Sequence, residues 1–579
     1  MKTYYQFFGN YRKALILAPT LVVIDVGCEI VQPELMSKIV DHGVLLKDLH
    51  YILQTGGFML LLSIIAIAAN VSNVYFSSHA SVGFAAELRK GMFTKIQSFS
   101  FANLDRLSSS SLVNRMTSDV NILQDVIMMS LRLLVRAPLM LLFAVIIAVR
   151  INASLASIIA IAIPLLSVCI YVILRRGLPY FEKVQQKLDR VNRIVQENLV
   201  NVRVVKSFVR DDFEKKKFFS SNEELRELSV KASGLVVLIM PVMQLVMNVS
   251  IVAIVWFGGN KIIAGSFQVG QLMSFITYIT QILMSLTMLS MTIMTLARAG
   301  ASSERILEVL NTKVDIVDSA LAIEKQTSIK RGEIVFENVS FKYTQQANEY
   351  VLKNINLHIP PGETVAIVGA TGSAKSTLVQ LIPRLYDASL GRILIDEVNV
   401  RDYTLRNLRT GVNLVLQQNE LFSGTIRQNL SWGKPGAADD EIIAAAKDAQ
   451  AHDFIMSFPK QYETVLGQSG VNLSGGQKQR LCIARAILSK PKILILDDST
   501  SAVDIATDAR IRLSFRQHLQ GTTILIIAQR ISSIQSADRI IVLEDGELIG
   551  NGTHEELMKN NKVYGDIYHS QQLKDATVS

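Results

Sequence analysis

Apolar residues are distributed in two regimes along the chain. Up to about residue 300 they form six long runs, centred near Leu21, Leu61, Leu142, Ile161, Val246 and Leu283, each close to the roughly 20 residues that a helix needs to cross a bilayer. From Gly332 onward the runs are short and β-branched and alternate with helical patterns, which predicts an α/β domain on a largely parallel sheet. The stretch between them, "TKVDIVDSALAIEKQTSIKRG", is polar and aperiodic. The expected organisation is a transmembrane domain over 1–310, a linker over 311–331 and a second domain over 332–579.

An even number of spans returns the chain to its starting side. The connections after the first, third and fifth spans hold few basic residues (Lys38 and Lys47; Arg150; Lys261), whereas those after the second and fourth are long and rich in Lys and Arg. The positive-inside bias then places both termini in the cytoplasm, with the protein multi-pass in the cytoplasmic membrane and in contact with the lipid bilayer. The two long connections read as helical extensions into the cytosol, with short turns within "FANLDRLSSSSLVNRMTSDVNILQ" and "VVKSFVRDDFEKKKFF" placed to touch a cytoplasmic domain. The apolar run after Lys13 lacks a small-residue cleavage site, so no cleavable signal is expected.

Composition refines this picture. With 579 residues, 49% apolar content and a mean hydropathy of +0.31, the chain reads as a membrane protein with a substantial soluble part. Its net charge of +9 comes from basic residues crowded beside apolar runs, so no nucleic-acid partner is expected. Cys28, Cys169 and Cys482 are scattered and form neither a disulfide framework nor a CxxC metal site.

Candidate chemistry begins at "VAIVGATGSAKSTLVQLI", a strand, a glycine-rich turn and a helix start. It follows the G-x-x-x-x-G-K-[ST] frame except that Ala374 stands where the second glycine belongs. In such a loop the backbone N–H groups of Gly369, Ala370, Thr371, Gly372, Ser373 and Ala374, with Thr377 beyond, surround phosphate oxygens. Lys375 reaches the β and γ phosphates of ATP and the Ser376 hydroxyl binds Mg2+. "VNLSGGQKQRLCIARAIL" follows downstream, and "KILILDD" after that.

That order and spacing resemble the ATP-binding cassette family. The resemblance covers the whole chain and looks like an exporter half-transporter. It implies an α-helical six-span transmembrane domain followed by an α/β P-loop ATP-binding cassette domain, with ATP hydrolysis coupled to export. By the same resemblance Tyr343 in "VSFKYTQQ" stacks on adenine. Gln417 in "LVLQQNELFSGTI" contacts the metal and γ-phosphate, although Leu416 replaces the usual preceding proline. Asp497 holds Mg2+ through water, and "SAVD", ending at Asp504, crosses to a partner cassette. Ser474, Gly475, Gly476 and Gln477 present a hydroxyl and backbone amides to a γ-phosphate held by the opposite subunit.

Besides Leu416, three positions at the nucleotide site depart from the family pattern. Asp498 stands where a catalytic glutamate is expected, one methylene or roughly 1.5 Å short for a general base. Gln529 in "IIAQRISS" replaces the switch histidine and cannot change charge. Ala374 is the third. All lie on the phosphate-loop half, and the signature half is intact. This asymmetry resembles the degenerate-site subunit of bacterial heterodimeric multidrug exporters, which implies weak hydrolysis at its own site and a second half-transporter as partner. Two alternatives remain open: a homodimeric lipid or drug flippase with slow ATP turnover, and a nucleotide-gated channel or sensing subunit. A peptide-processing exporter is disfavoured because no Cys/His protease segment precedes the first span, and a soluble DNA-repair cassette is excluded by the six spans.

The expected cargo is a small amphipathic compound. Met284, Met288 and Met291, with Ser285 and Thr292 alongside, form a stripe suited to adaptable apolar contacts, and ordinary helix packing has the same spacing. Gln244 with Asn248, and Asn70 with Asn73, share helix faces that would look into a bundle interior. Asp25 and Glu29 lie on one face of the first span, where a cation between them would relieve their repulsion. That cation would be a charged substrate; the competing reading has no shared cation, with Glu29 near the outer surface in water and Asp25 paired with a basic or polar group elsewhere in the protein.

Overall fold

Hydrocarbon offers the backbone no hydrogen-bond partners, so long apolar runs satisfy their own N–H and C=O groups as helices. In the computed structural model, which describes residues 2–344, 347–528, 531 and 534–578, six helical runs are long and apolar enough to cross a membrane: Thr3–Val44, Leu49–Gln97, Ser109–Ile151, Ala153–Val200, Asp211–Ile263 and Val269–Leu289. Their ends follow local chemistry. Asn152, for example, caps the fourth run by accepting the Leu155 N–H at 3.1 Å.

The chain divides into two units, residues 1–96 with 110–311 and residues 97–109 with 312–579. In the first unit, Val22, Val26 and Ile30 of the first run pack with Ala144 and Ala148 of the third and with Phe275, Tyr278, Ile279 and Ile282 of the last. The small side chains at 144 and 148, one turn apart, let the long helix Val269–Asn311 lie closely along Val120–Ile151. Tyr278 is fully buried and donates its hydroxyl to the Ile30 carbonyl at 2.8 Å. Beyond the apolar stretches, Asp119 accepts from the Arg305 guanidinium at 2.8 Å and from the Ser302 hydroxyl at 2.9 Å, tying two helical extensions together.

The second unit is built on two main sheets. One is antiparallel, in the order β2-β1-β4-β5, from β1 (Ile334–Phe341), β2 (Leu352–Ile359), β4 (Leu390–Ile395) and β5 (Val398–Asn399). The alternation along the sequence did not resolve it from the parallel sheet. The other runs β12-β11-β3-β10-β9-β6, from β3 (Thr364–Val368), β6 (Val412–Val415), β9 (Ile493–Asp497), β10 (Thr523–Ile527), β11 (Arg539–Glu544) and β12 (Glu547–Gly552). A short pair, β7 (Gly424–Thr425) and β8 (Val465–Leu466), completes the unit.

Strands β3, β10, β9 and β6 are mutually parallel, and β9 and β10 are buried along their whole lengths. Covered on both faces, they read as unbroken apolar runs rather than alternation. Their register aligns Ile367, Ile527 and Asp497 across the sheet, so the loops that follow open on one edge.

The helix Phe101–Leu107 also belongs to the second unit. Ser100 and Asn103 cap it reciprocally, and the Asn103 amide donates to Asp315 at 2.9 Å.

Candidate functional site

The phosphate loop leaves β3 at Gly369 and enters the helix Lys375–Gln380. Gly369 is required there by crowding: a Cβ would sit 2.1 Å from the Leu543 carbonyl oxygen. Ala374 adopts φ +70° and ψ 21°, the left-handed conformation, which explains why a glycine suits that place. The Lys375 ammonium donates to the carbonyls of Gly369 (2.9 Å) and Ala370 (2.8 Å) and reaches the Ser373 hydroxyl at 3.3 Å. Burial lowers the Lys375 pKa, and the charges of Asp497 and Asp498 partly restore it.

At the end of β9, the Asp497 carboxylate accepts the Ser376 hydroxyl at 2.9 Å. Burial pushes its pKa up, Ser376 opposes this and the adjacent Asp498 adds to it. A hydroxyl and a carboxylate in contact at a phosphate loop are a fitting donor pair for Mg2+, with phosphate and water oxygens completing the shell. Asp498 has φ +48° and is buried; its amide donates to the Ile527 carbonyl at 3.0 Å, and its carboxylate accepts the Gln417 side-chain amide at 3.3 Å. Gln417 arrives from β6, so β3, β9 and β6 bring Lys375, Ser376, Asp497, Asp498 and Gln417 to one edge. Gln529, which follows β10, lies outside the described residues.

Tyr343 follows β1 and is 45% exposed as a residue, and its hydroxyl shares a hydrogen bond with Thr377 at 2.8 Å. Thr371 and Gly372 complete the loop, where Gly372 has φ +89°. The signature segment starts the helix Gly475–Leu488, capped by Ser474 and Gln477 in a reciprocal box. The hydrogen bonds of Ser474 stay within that turn, and Ser474 and Gly475 are exposed. Gly476 has no room for a side chain, since a Cβ would lie 2.7 Å from the Ala502 carbonyl oxygen. Asp504 caps the next helix by accepting the Thr507 N–H at 2.9 Å.

Sequence reasoning missed Gln479. Its side chain accepts the Ala502 N–H at 3.0 Å and donates to Ser501 at 3.3 Å, tying the signature helix to the loop after Asp498. The sequence offered only a glutamine three residues past Gly476 as a signal; its burial is seen in the structure.

In the first unit a basic side chain of the protein lies between Asp25 and Glu29, so Glu29 is paired along with Asp25 rather than left to water as one of the two expectations had it. The guanidinium of Arg136 donates one arm to each carboxylate, and Asn70 donates to Asp25 at 3.3 Å. Asn73 donates to the Ala18 carbonyl at 2.8 Å. Gln244, Asn248, Met284 and Met288 are exposed in the single chain, Ser285 and Thr292 are buried, and the Met291 side chain lies outside the described residues.

Residues 15–286 match the ABC transporter transmembrane region, and residues 352–501 match the ABC transporter family. The chain is 43% identical to the uncharacterized ABC transporter ATP-binding protein YfiB of Bacillus subtilis over 99% of both chains. It belongs to the ABC transporter family. This ABC transporter is also 35% identical to an ATP-dependent lipid A-core flippase of Syntrophus aciditrophicus, over 85% of this chain and 81% of that one. It is 32% identical to the putative multidrug export ATP-binding/permease protein YgaD of Bacillus subtilis over 99% of both. The structure of a bacterial Atm1-family ABC exporter with ATP bound superimposes with a TM-score of 0.79 at 25% identity, covering 97% of this chain and 99% of that one. The ABC transporter is therefore an exporter half-transporter, a multi-pass membrane protein whose nucleotide-binding cassette is an ATPase.

Proposed function

We propose that this half-transporter is the degenerate-site subunit of a heterodimeric exporter of amphipathic compounds in the cytoplasmic membrane, with both termini on the cytoplasmic side. Its own loop binds ATP through Tyr343, Gly369 to Thr377 and Lys375, with Mg2+ at Ser376, Gln417 and Asp497. It hydrolyses that ATP slowly, and it lends Ser474, Gly475, Gly476 and Gln477, with Asp504 nearby, to the partner's site. Residues 1–310 carry the cargo path, 311–331 link, and 332–579 form the cassette.

The observation that carries the reading is Asp498. The residue that should position a water beyond the γ-phosphate is one carbon short, and its carboxylate is drawn to Gln417 at 3.3 Å. A general base must reach the water it activates, and a misplacement of about 1 Å costs on the order of a hundredfold in rate. Bound Mg2+ would neutralise phosphate charge; the chain's own Lys375 and loop amides orient the phosphates. The substrate class rests on YgaD, named for multidrug export, and on the lipid A-core flippase, both of which imply amphipathic cargo.

A second reading is a homodimeric flippase with slow turnover, for which the flippase relative supports only the lipid cargo. Purification from the native membrane separates the two. A second half-transporter carrying Glu and His at the positions of Asp498 and Gln529 should co-purify. A complex containing only this chain that hydrolyses ATP without a second gene product would reverse the assignment to the homodimer.

A further inference from the structure

Tyr343 does not end the chain of contacts at the nucleotide edge. Beside its hydrogen bond to Thr377, its ring meets the edge of Tyr386 almost perpendicularly, with centroids 5.2 Å apart and planes at 89°. Tyr386 is buried, and its hydroxyl donates to the Asp105 carboxylate at 2.7 Å. Asp105 lies on Phe101–Leu107, the short helix at the turn between the second and third spans, and Phe101 of the same helix approaches the Tyr386 ring at 6.1 Å. On its other side this helix is held by the start of the linker, through Asn103 to the Lys313 carbonyl and Asp315, and through Arg106 to Thr312 at 3.2 Å.

A buried phenol needs a hydrogen-bond acceptor, and a nearby backbone carbonyl would serve for packing alone. Here the acceptor is a carboxylate 281 residues away, giving a charge-assisted bond that depends on where the Tyr386 ring stands. The ring packs against both Phe341 and Tyr343, and Tyr343 is the exposed residue assigned to adenine, with its hydroxyl tied to the phosphate-loop helix.

We propose that Tyr386 and Asp105 sense base occupancy: a purine stacked on Tyr343 immobilises Tyr386 and strengthens its bond to Asp105, which clamps Phe101–Leu107 onto the cassette. The inference rests on the reading of Tyr343 as the base platform. It gives a slowly hydrolysing site a task, reporting bound ATP to the membrane-spanning unit for as long as the nucleotide stays. Tyr386 and Asp105 are positioning residues and touch no reacting atom.

Amide hydrogen exchange on the full-length protein in nanodiscs, with any partner that co-purifies, tests it using two probes: magnesium adenylyl imidodiphosphate, which has a base, and magnesium tripolyphosphate, which has none. The nucleotide is expected to slow exchange in both 369–377 and 101–107 by about fivefold or more, and tripolyphosphate only in 369–377. Tyr386→Phe keeps the ring and loses the donor; it should retain slowing at 369–377 and lose it at 101–107. Asp105→Ala should do the same, and Asp105→Asn, which keeps an acceptor oxygen, should restore part of the response. Slowing at 101–107 that survives Tyr386→Phe, or that tripolyphosphate reproduces, overturns the relay. A Tyr343→Ala variant with unchanged affinity for adenylyl imidodiphosphate overturns the base-platform reading instead.

Discussion

Ala374 holds a backbone conformation that costs an L-residue about 1–2 kcal/mol. A glycine would carry no such cost there. Ala374→Gly is expected to stabilise the cassette by about 0.5–1 kcal/mol once glycine's larger unfolded-state entropy is subtracted, raising the thermal midpoint by about 1–4 °C. A lowered midpoint would refute the strain. Asp396 is a second residue whose work is local. Burial would raise its pKa, but the N–H groups of Arg331, Lys330, Glu333 and Gly332 outweigh burial and hold it below the ordinary carboxylate value. With a depressed folded pKa, its contribution is complete above the unfolded value of about 4 and fades as pH falls through the folded value. Asp396→Ala should cost about 1–3 kcal/mol at pH 7, toward the low end because the group is partly solvated. In thermal melts the gap between wild type and variant should begin to narrow below about pH 4 and be smallest below the depressed folded value; a gap independent of pH would show that the carboxylate charge is not involved.

Among elements, the clasp of the first and third spans is decided by three side chains. Arg136 faces Asp25 and Glu29 together, so removing the guanidinium leaves two carboxylates in an apolar bundle. Arg136→Met is expected to destabilise the protein by about 3–5 kcal/mol, whereas adding Asp25→Asn and Glu29→Gln to it should recover most of the loss. Melting of the three purified forms in detergent checks both statements, and a single variant as stable as wild type would dissolve the clasp. The carboxylates were legible from their four-residue spacing on one helix. Their partner was not, because helical periodicity orders neighbours on one element and says nothing of a side chain more than a hundred residues away.

At the scale of the whole molecule, the two halves of the ATPase chemistry are expected to carry unequal weight. Ser474→Arg places a bulky cation where the exposed start of the signature helix would meet a partner's γ-phosphate, and should reduce ATP hydrolysis by the complex by about tenfold or more. Asp498→Asn should lower it by less than about tenfold, since a base that hardly works has little to lose. Steady-state hydrolysis by both variants, assayed beside a Glu→Gln change at the partner's catalytic position, decides this. Near-normal turnover in Ser474→Arg would assign the asymmetry to the wrong halves. By itself the sequence determined the six spans, the α/β class of the cassette and the residues at the ends of β3, β6 and β9. Span length, strand burial and a strand-turn-helix loop are each encoded within a few residues of one another. Tertiary structure alone decided the antiparallel β2-β1-β4-β5 sheet, the left-handed turn at Ala374, the union of Arg136 with Asp25 and Glu29, and the bond between Tyr386 and Asp105. Each of these depends on which elements pack together, and such pairings are fixed by the burial and hydrogen bonding of the complete chain rather than by any local pattern.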